Sequence, residues 1–459
     1  APNIPEAHHE FRRSTCFVGR ERQLEELTKA YTSLGKGEVV IAMVQGLSGV
    51  GKSTLVAHFA DELKAMANRP IVLTGRCHPQ ESVPYKALDG AIDSLCRYWC
   101  GLGFAEASAL LPLDITSLVK LFPVLERVGA VKEAPKNYEA NLDPIALRRR
   151  GFTALREVFA RLCQRRSVVL CLDDLQWGDR DSALLLSEIV RPPHSPAILI
   201  IGSFRSEERE NSAFLNTLSM SDLELEGFIR PVEVKALSWD QSVALAEKLL
   251  ESAELGSLAK SIADESGGSP LFIAELVRYV KREDTREEAS LLGLSLDQVL
   301  MSRIKTLPQS SQSLLTTVAV AGRPTQQQAA TAASAIEVDA RKAIRLLIHE
   351  HLLRRGGSST DSLVTFHDRI AEVVVAELDD QEISDHHLKL ALALEAQEGA
   401  DPEALFTHFS GASQMDKARE YAVVTAHQAV EAFAFVRAAE FFELALVDSP
   451  GNKQLQLDL

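Results

Sequence analysis

Apolar and β-branched residues gather in four short runs in the first half of the chain, at 38–44, 71–74, 167–172 and 197–203. They are apolar at consecutive positions, which predicts strands of a parallel sheet buried on both faces. Between them lie long stretches with apolar residues three and four apart, such as 147–163, which predict helices. Strands alternating with helices place residues 1–215 in an α/β domain whose parallel sheet carries helices on both faces.

Past Glu207 the strand pattern fades. Residues 239–250 and 258–263 have helical spacing, and Gly267-Gly268-Ser269-Pro270 punctuates them. The proline suits the first turn of a helix over 271–280, and the charged stretch 281–288 predicts an exposed linker or a solvated helix end. Residues 216–290 are thus expected to form a helical subdomain. Helical spacing resumes at Leu296, and Arg354-Arg355-Gly356-Gly357-Ser358-Ser359 predicts a turn between strands at 352–355 and 363–366. Three helices followed by a β-hairpin is the layout of a winged helix, expected over 291–378. From Ser384 the pattern is helical and alanine-rich, with Ala418, Tyr421, Ala422, Ala426 and Ala429 on one side. Ala438, Ala439, Phe442 and Ala445 repeat that arrangement before Pro450. Small residues with aromatics in paired helices resemble a tetratricopeptide array, whose start residues 379–459 would form.

A chain of 459 residues that is 46% hydrophobic and 25% charged is built like a soluble multidomain protein. The net charge of −15 sets it against nucleic acid and anionic membrane in general, and no large basic patch is visible along the sequence. Cysteines stand at 16, 77, 96, 100, 163 and 171. Cys96 and Cys100 lie a helical turn apart, but no second pair completes a zinc set, so free thiols are expected. No apolar run reaches the ~18 residues of a membrane span and no signal peptide is present, which predicts a cytoplasmic protein. A start at Ala1 rather than methionine suggests a piece of something longer.

The chemistry begins at Gly46-Leu47-Ser48-Gly49-Val50-Gly51-Lys52-Ser53, which matches the P-loop pattern at every fixed position. A predicted strand precedes it, and Thr54-Leu55-Val56-Ala57-His58-Phe59 opens a helix after it. Glycines let main-chain N–H groups turn inward around phosphates, and the helix N-terminus adds its positive dipole end. Lys52 would reach the β- and γ-phosphates, and Ser53 would hold Mg²⁺. The run at 167–172 ends in Asp173-Asp174, as a Walker B element does. Asp173 would hold the metal through water and Asp174 would orient or deprotonate the attacking water; the competing expectation is that Asp174 caps the next helix. Asp179 and Asp181 are expected to be caps or solvated residues. Arg205, just past the last strand, either faces the γ-phosphate as a cis arginine finger or pairs with Glu207 or Glu208.

Taken together, these motifs resemble the STAND class of P-loop ATPases, signal-transduction relatives of AAA+ proteins. Phe17-Val18-Gly19-Arg20-Glu21 is similar to the segment that lies against the adenine in that class, and Gly268-Ser269-Pro270 to its Gly-x-Pro element, whose proline packs on the base. Phe366-His367-Asp368 resembles the Met-His-Asp motif, whose histidine touches the β-phosphate of ADP; here phenylalanine replaces the methionine. Val83-Pro84-Tyr85 and the segment 173–179 look most like ATPase modules of large bacterial regulators, which neighbour serine/threonine kinase, nucleotide cyclase or DNA-binding domains. No kinase motif occurs in this chain. The resemblance implies a switch between ADP and ATP forms with Mg²⁺, a protein or peptide ligand on the C-terminal repeats, and oligomerisation when ATP is bound. Two other readings stay open. A winged-helix DNA-binding regulator would use Arg323, Arg341, Lys342, Arg345, Arg354 and Arg355, which Glu337, Asp339 and Glu350 offset. An AAA+ remodelling motor would need a trans arginine finger and continuous hydrolysis.

Overall fold

Five parallel strands make the central sheet: β1 (Val40–Gly46), β2 (Ile71–Arg76), β3 (Val168–Asp173), β4 (Ile198–Arg205) and β5 (Ile229–Glu233), in the order β2-β3-β4-β1-β5. The computed structural model describes residues 17–78, 84–135, 143–221, 228–251, 255–283, 293–336, 339–356, 361–397 and 399–446. Cys16, Val83, residues 284–288, Glu337, Gly357, Ser358, Ser359 and Pro450, all named above, lie outside them.

Alternate residues of each strand serve opposite faces, as the pleat requires. Ile41, Met43, Val168, Leu170, Leu172, Ile198 and Ile200 point into one core; Val40, Ala42, Val44, Val169, Cys171, Leu199 and Ile201 point into the other. Helices Glu21–Ser33 and Lys52–Ala65 cover the second face, and helices Lys86–Cys100, Pro144–Cys163 and Arg180–Val190 the first. The four strands anticipated for this sheet are present and run slightly past their expected ends, carrying Gly46, Arg76, Asp173 and Arg205 to one rim. The fifth, β5, was not anticipated. It is an edge strand with only Val232 buried, where Arg230, Pro231 and Glu233 are tolerated and hide the apolar pattern.

Helices Trp239–Leu250, Gly256–Ser266 and Pro270–Glu283 pack around Leu245, Ala246, Ile262, Ile273 and Leu276. A capping box between Ser238 and Gln241 opens the first, and Pro270 begins the third as its sequence suggests. Next come helices Leu296–Lys305, Gln309–Ala321, Gln327–Ala333, Ala340–His349 and Asp368–Ala376, with an antiparallel sheet ordered β6-β8-β7. The expected hairpin is β7 (Leu353–Arg355) with β8 (Ser362–Thr365); β6 (Thr325–Gln326) is too short to leave a period. Helices Asp380–Glu395, Pro402–Gly411, Met415–Glu431 and Phe435–Leu446 then stack in succession.

The last two helices return to the first domain. Ala422, Ala426, Ala429, Phe433, Ala438, Phe442 and Ala445 join the same core as β3 and β4, their small side chains admitting close approach. The buried Tyr85 hydroxyl donates to the Phe433 carbonyl (3.0 Å), and the Arg437 main-chain N–H donates to Asp181 (3.2 Å). Asp179 does cap its helix, accepting from the Ser182 N–H. Asp181 does not match the expectation of a cap or solvated residue: it is 1% exposed and paired with Arg148 at 3.1 Å. No helix among the described residues is long and apolar enough to cross a membrane.

Candidate nucleotide-binding site

β1 delivers the chain into the P-loop at Gly46, where a Cβ would stand 2.2 Å from the Val234 carbonyl oxygen. Gly49 and Gly51 have φ of +79° and +95°, the left-handed backbone that turns main-chain N–H groups inward before helix Lys52–Ala65. The Ser48 N–H donates to Glu207 (2.9 Å). Lys52 is buried, and its ammonium donates to the carbonyls of Gly46 and Leu47, each at 2.8 Å. Burial lowers the Lys52 pKa, against the pull of Asp174 and Glu207. Val50 is buried beneath the loop, while Ser53 and Thr54 lie exposed on the first helical turn.

The Ser53 hydroxyl donates to Asp173 at 3.0 Å, and Ser203 on the neighbouring strand bonds the same carboxylate oxygen. Hard oxygen donors from a hydroxyl and a carboxylate suit Mg²⁺. Asp174 has φ +59° and caps no helix with its side chain; the left-handed turn brings it to the same rim as Asp173. The Gln176 amide donates to it at 3.0 Å, and the Arg76 guanidinium, from the end of β2, lies at 2.7 Å. Burial and the adjacent Asp174 push the Asp173 carboxyl up. Burial also acts on Asp174, but Arg76, Gln176, Arg205 and Lys52 outweigh it and hold that carboxylate down.

Arg205 follows neither expectation in full. It reaches the rim from β4, yet it pairs with Glu372 (3.0 Å) and Asp368 rather than with Glu207 or Glu208. Both partners sit on helix Asp368–Ala376, which His367 caps by accepting the Arg369 N–H on Nδ1 (3.1 Å). Burial, then Arg76 and Arg205, depress the His367 pKa despite Asp368. Arg76 stands 3.9 Å from Asp368, so one cluster of opposite charges joins the ends of β2, β3 and β4 to this helix.

On the other flank, Arg20 is buried and donates to the Val50 carbonyl (2.9 Å). Gly19, at φ +70°, lies against Gln241, and Val18 packs with the helices that follow β5. Pro270 comes within 3.9 Å of the Cβ position of Gly51, and Leu271 N–H approaches the Gly49 carbonyl at 3.4 Å. The fold thus sets Arg20 and Pro270 against the P-loop, with Gly19 and Val18 packed beside them against the helices after β5, while His367 caps the helix that holds the partners of Arg205. Arg76, Gln176, Ser203 and Glu372 also stand in the site with no role expected for them from the sequence, and Glu207 meets the Ser48 N–H rather than Arg205. Arg76 ends a core strand just as Arg205 does, so the same positional signal was there to read. Arg354 also turns toward the cluster, and burial together with Arg76 pushes its pKa down to about 10.

A parallel sheet with a P-loop at the end of one strand and a paired acid at the end of another defines a P-loop ATPase. Residues 16–201 match the AAA ATPase domain family. The chain is similar in fold to a Signal Transduction ATPase with Numerous Domains protein with a tetratricopeptide repeat sensor from Pyrococcus horikoshii. That match has a TM-score of 0.54 at 14% identity, covering 97% of this chain and 56% of that one. A Walker-type ATPase of Pyrococcus abyssi aligns at 16% identity and a TM-score of 0.37, covering 78% of this chain and 96% of that one. An uncharacterized protein of Rhizobium meliloti (strain 1021) is 24% identical over 324 residues, 67% of this chain and 30% of that protein. The chain thus spans about half the Pyrococcus horikoshii chain and under a third of the Rhizobium protein.

Proposed function

We propose that the chain is an ATP/ADP-binding signalling switch of the STAND type, the regulatory ATPase module of a larger bacterial protein such as a serine/threonine kinase. The observation that carries this reading is the pairing of Arg205 with Asp368 and Glu372. An arginine at the end of β4 is well placed to meet a γ-phosphate, and it is held by carboxylates of the C-terminal part of the chain. A phosphate and two carboxylates compete for one guanidinium. With ADP the ion pairs persist; with ATP they are weakened, and the helix carrying them is freed.

The remaining residues fit around that exchange. Main-chain N–H groups of Gly46, Ser48, Gly49, Val50, Gly51 and Thr54 would cradle the phosphates, with Lys52 as the mobile cation. Ser53 and Asp173 would hold Mg²⁺, which supplies charge neutralisation on the phosphates when bound. Asp174 would orient the attacking water; its engagement by Arg76 and Gln176 supports slow hydrolysis until that contact loosens. Val18, Gly19, Arg20 and Pro270 would enclose the adenine. Since His367 Nδ1 accepts a hydrogen bond, the neutral ring carries its proton on Nε2, free to donate to the β-phosphate. The helix Asp368–Ala376 belongs to the winged-helix part, and the repeats behind it would sense a protein or peptide.

Lys52→Ala should weaken binding of a fluorescent ATP analogue about 100-fold, the loss of a charged hydrogen-bonding group. Wild-type affinity would remove the P-loop from the account. Asp368→Ala and His367→Ala should each speed fluorescent ADP release about tenfold, or roughly 1.4 kcal/mol. Stopped-flow traces identical to wild type in both variants would end the switch reading while leaving nucleotide binding intact.

A further inference from the structure

We propose that the free edge of β2 is a docking groove for an extended, acidic segment of a partner protein. β2 is the outermost strand of the sheet. Ile71 N–H donates to Ser167 and Cys77 N–H to Asp173, both at 2.9 Å, so residues 71, 73, 75 and 77 turn their main-chain groups toward β3. Val72 and Thr74 therefore turn theirs outward, where no hydrogen bond meets them among the described residues. These two residues offer a pair of N–H donors and a pair of carbonyl acceptors, the template that strand addition uses.

The groove beside this edge has a volume of about 280 Å³ and lies between the two helices that flank the strand. Its floor includes Ile71, Val72 and Leu73, and its rim carries Lys64, Arg69, Arg97 and Arg166, all four exposed. Lys64 bonds Asp61 at 3.0 Å and Arg97 bonds the Asp93 carbonyl at 3.4 Å. The guanidinium groups of Arg69 and Arg166 have no ion-pair partner among the described residues. In a chain of net charge −15, four cations around one open strand edge run against the background. The cluster draws on three separate segments, so no basic run announces it along the sequence. Arg69 has φ +40°, a left-handed backbone that a non-glycine residue adopts only when its surroundings hold it.

The competing account is that the charges only keep the edge from pairing with other chains. The opposite edge, β5, has Pro231 in mid-strand, a simpler guard. β2 has no internal proline, keeps an apolar floor, and carries Arg69 and Arg166 on its rim without ion-pair partners among the described residues. An extended segment with alternating carboxylates would satisfy both the edge and the rim. The groove lies toward the N-terminal ends of the strands, away from the P-loop, so it can be altered without touching the nucleotide.

The whole chain can be titrated against a fluorescein-labelled peptide of about ten residues alternating valine and glutamate, read by anisotropy at about 50 mM salt. Saturable binding is expected, weakened at least about tenfold in the double variant Arg69→Glu/Arg166→Glu, with ATP-analogue binding unchanged. A peptide N-methylated at its central amides should bind at least about tenfold more weakly, because strand pairing needs main-chain donors. Absence of binding, or equal binding by the double variant, overturns the proposal. So does equal binding of the methylated peptide, which would reduce the groove to a charged surface. Tighter binding of a single-stranded oligonucleotide in the same groove, or dimerisation of the chain through β2, would overturn it as well.

Discussion

Asp173 and Asp174 are adjacent in sequence and follow a buried strand, yet their environments push them apart. Burial raises the first, while Arg76 and its neighbours keep the second ionised, which suits a fixed negative charge that orients a water by accepting its hydrogen bond. Asp174→Asn should leave nucleotide affinity unchanged and slow hydrolysis about 100-fold, measured as phosphate release under single-turnover conditions. Turnover at the wild-type rate would assign water activation to another carboxylate, with Glu207 the first to test. At this scale the P-loop and the paired acids were legible because they are contiguous. Glu372 was not, because it enters the site from a helix more than 160 positions past β4, whereas Arg76 and Ser203 stand at the ends of core strands where the signal that marked Arg205 also applied. Arg205 was read correctly as a rim residue. Its partners could not be read, since they lie more than 160 positions away.

Among the elements, the helices Asp380–Glu395 and Pro402–Gly411 are joined by an unusual pair. His387 Nδ1 and His408 Nδ1 stand 2.9 Å apart, a distance that requires one ring to donate and the other to accept. His408 is 0% exposed. Burial, with help from His387 and Arg323, lowers its pKa to about 3, below the 6.5 of an unfolded histidine. A depressed folded pKa means that the unfolded chain takes up the proton first. The stabilisation is therefore complete above pH 6.5 and is lost as the pH falls toward 3. Between pH 7 and pH 5 the loss should reach about 2 kcal/mol, and His408→Asn should lack that portion when urea midpoints are compared at the two pH values. The strands show the other side of legibility at this scale. Buried β1, β3 and β4 declared themselves by unbroken apolar runs, whereas β5 is half-exposed and β6 has two residues.

For the whole molecule, the decisive feature is a core that the α/β domain shares with the last two helices. Phe442 is 1% exposed within it, so Phe442→Ala should cost about 3–5 kcal/mol. Trp99 is fully buried in the same cluster and reports on it by fluorescence. A single urea transition shifted to lower concentration is expected. An unchanged Trp99 transition would mean that the terminal helices separate from the domain before it unfolds. The alanine spacing that sequence reasoning took for repeat packing is real, but one side of it packs on the ATPase domain. Periodicity tells which residues are buried and cannot tell against what.

The bond from Tyr85 to the Phe433 carbonyl spans 348 positions. A ribosome completes the P-loop and both acidic residues long before it makes the surface that closes their domain. During that interval the apolar side chains that meet Phe433 and Phe442 in the finished core have nothing to cover them.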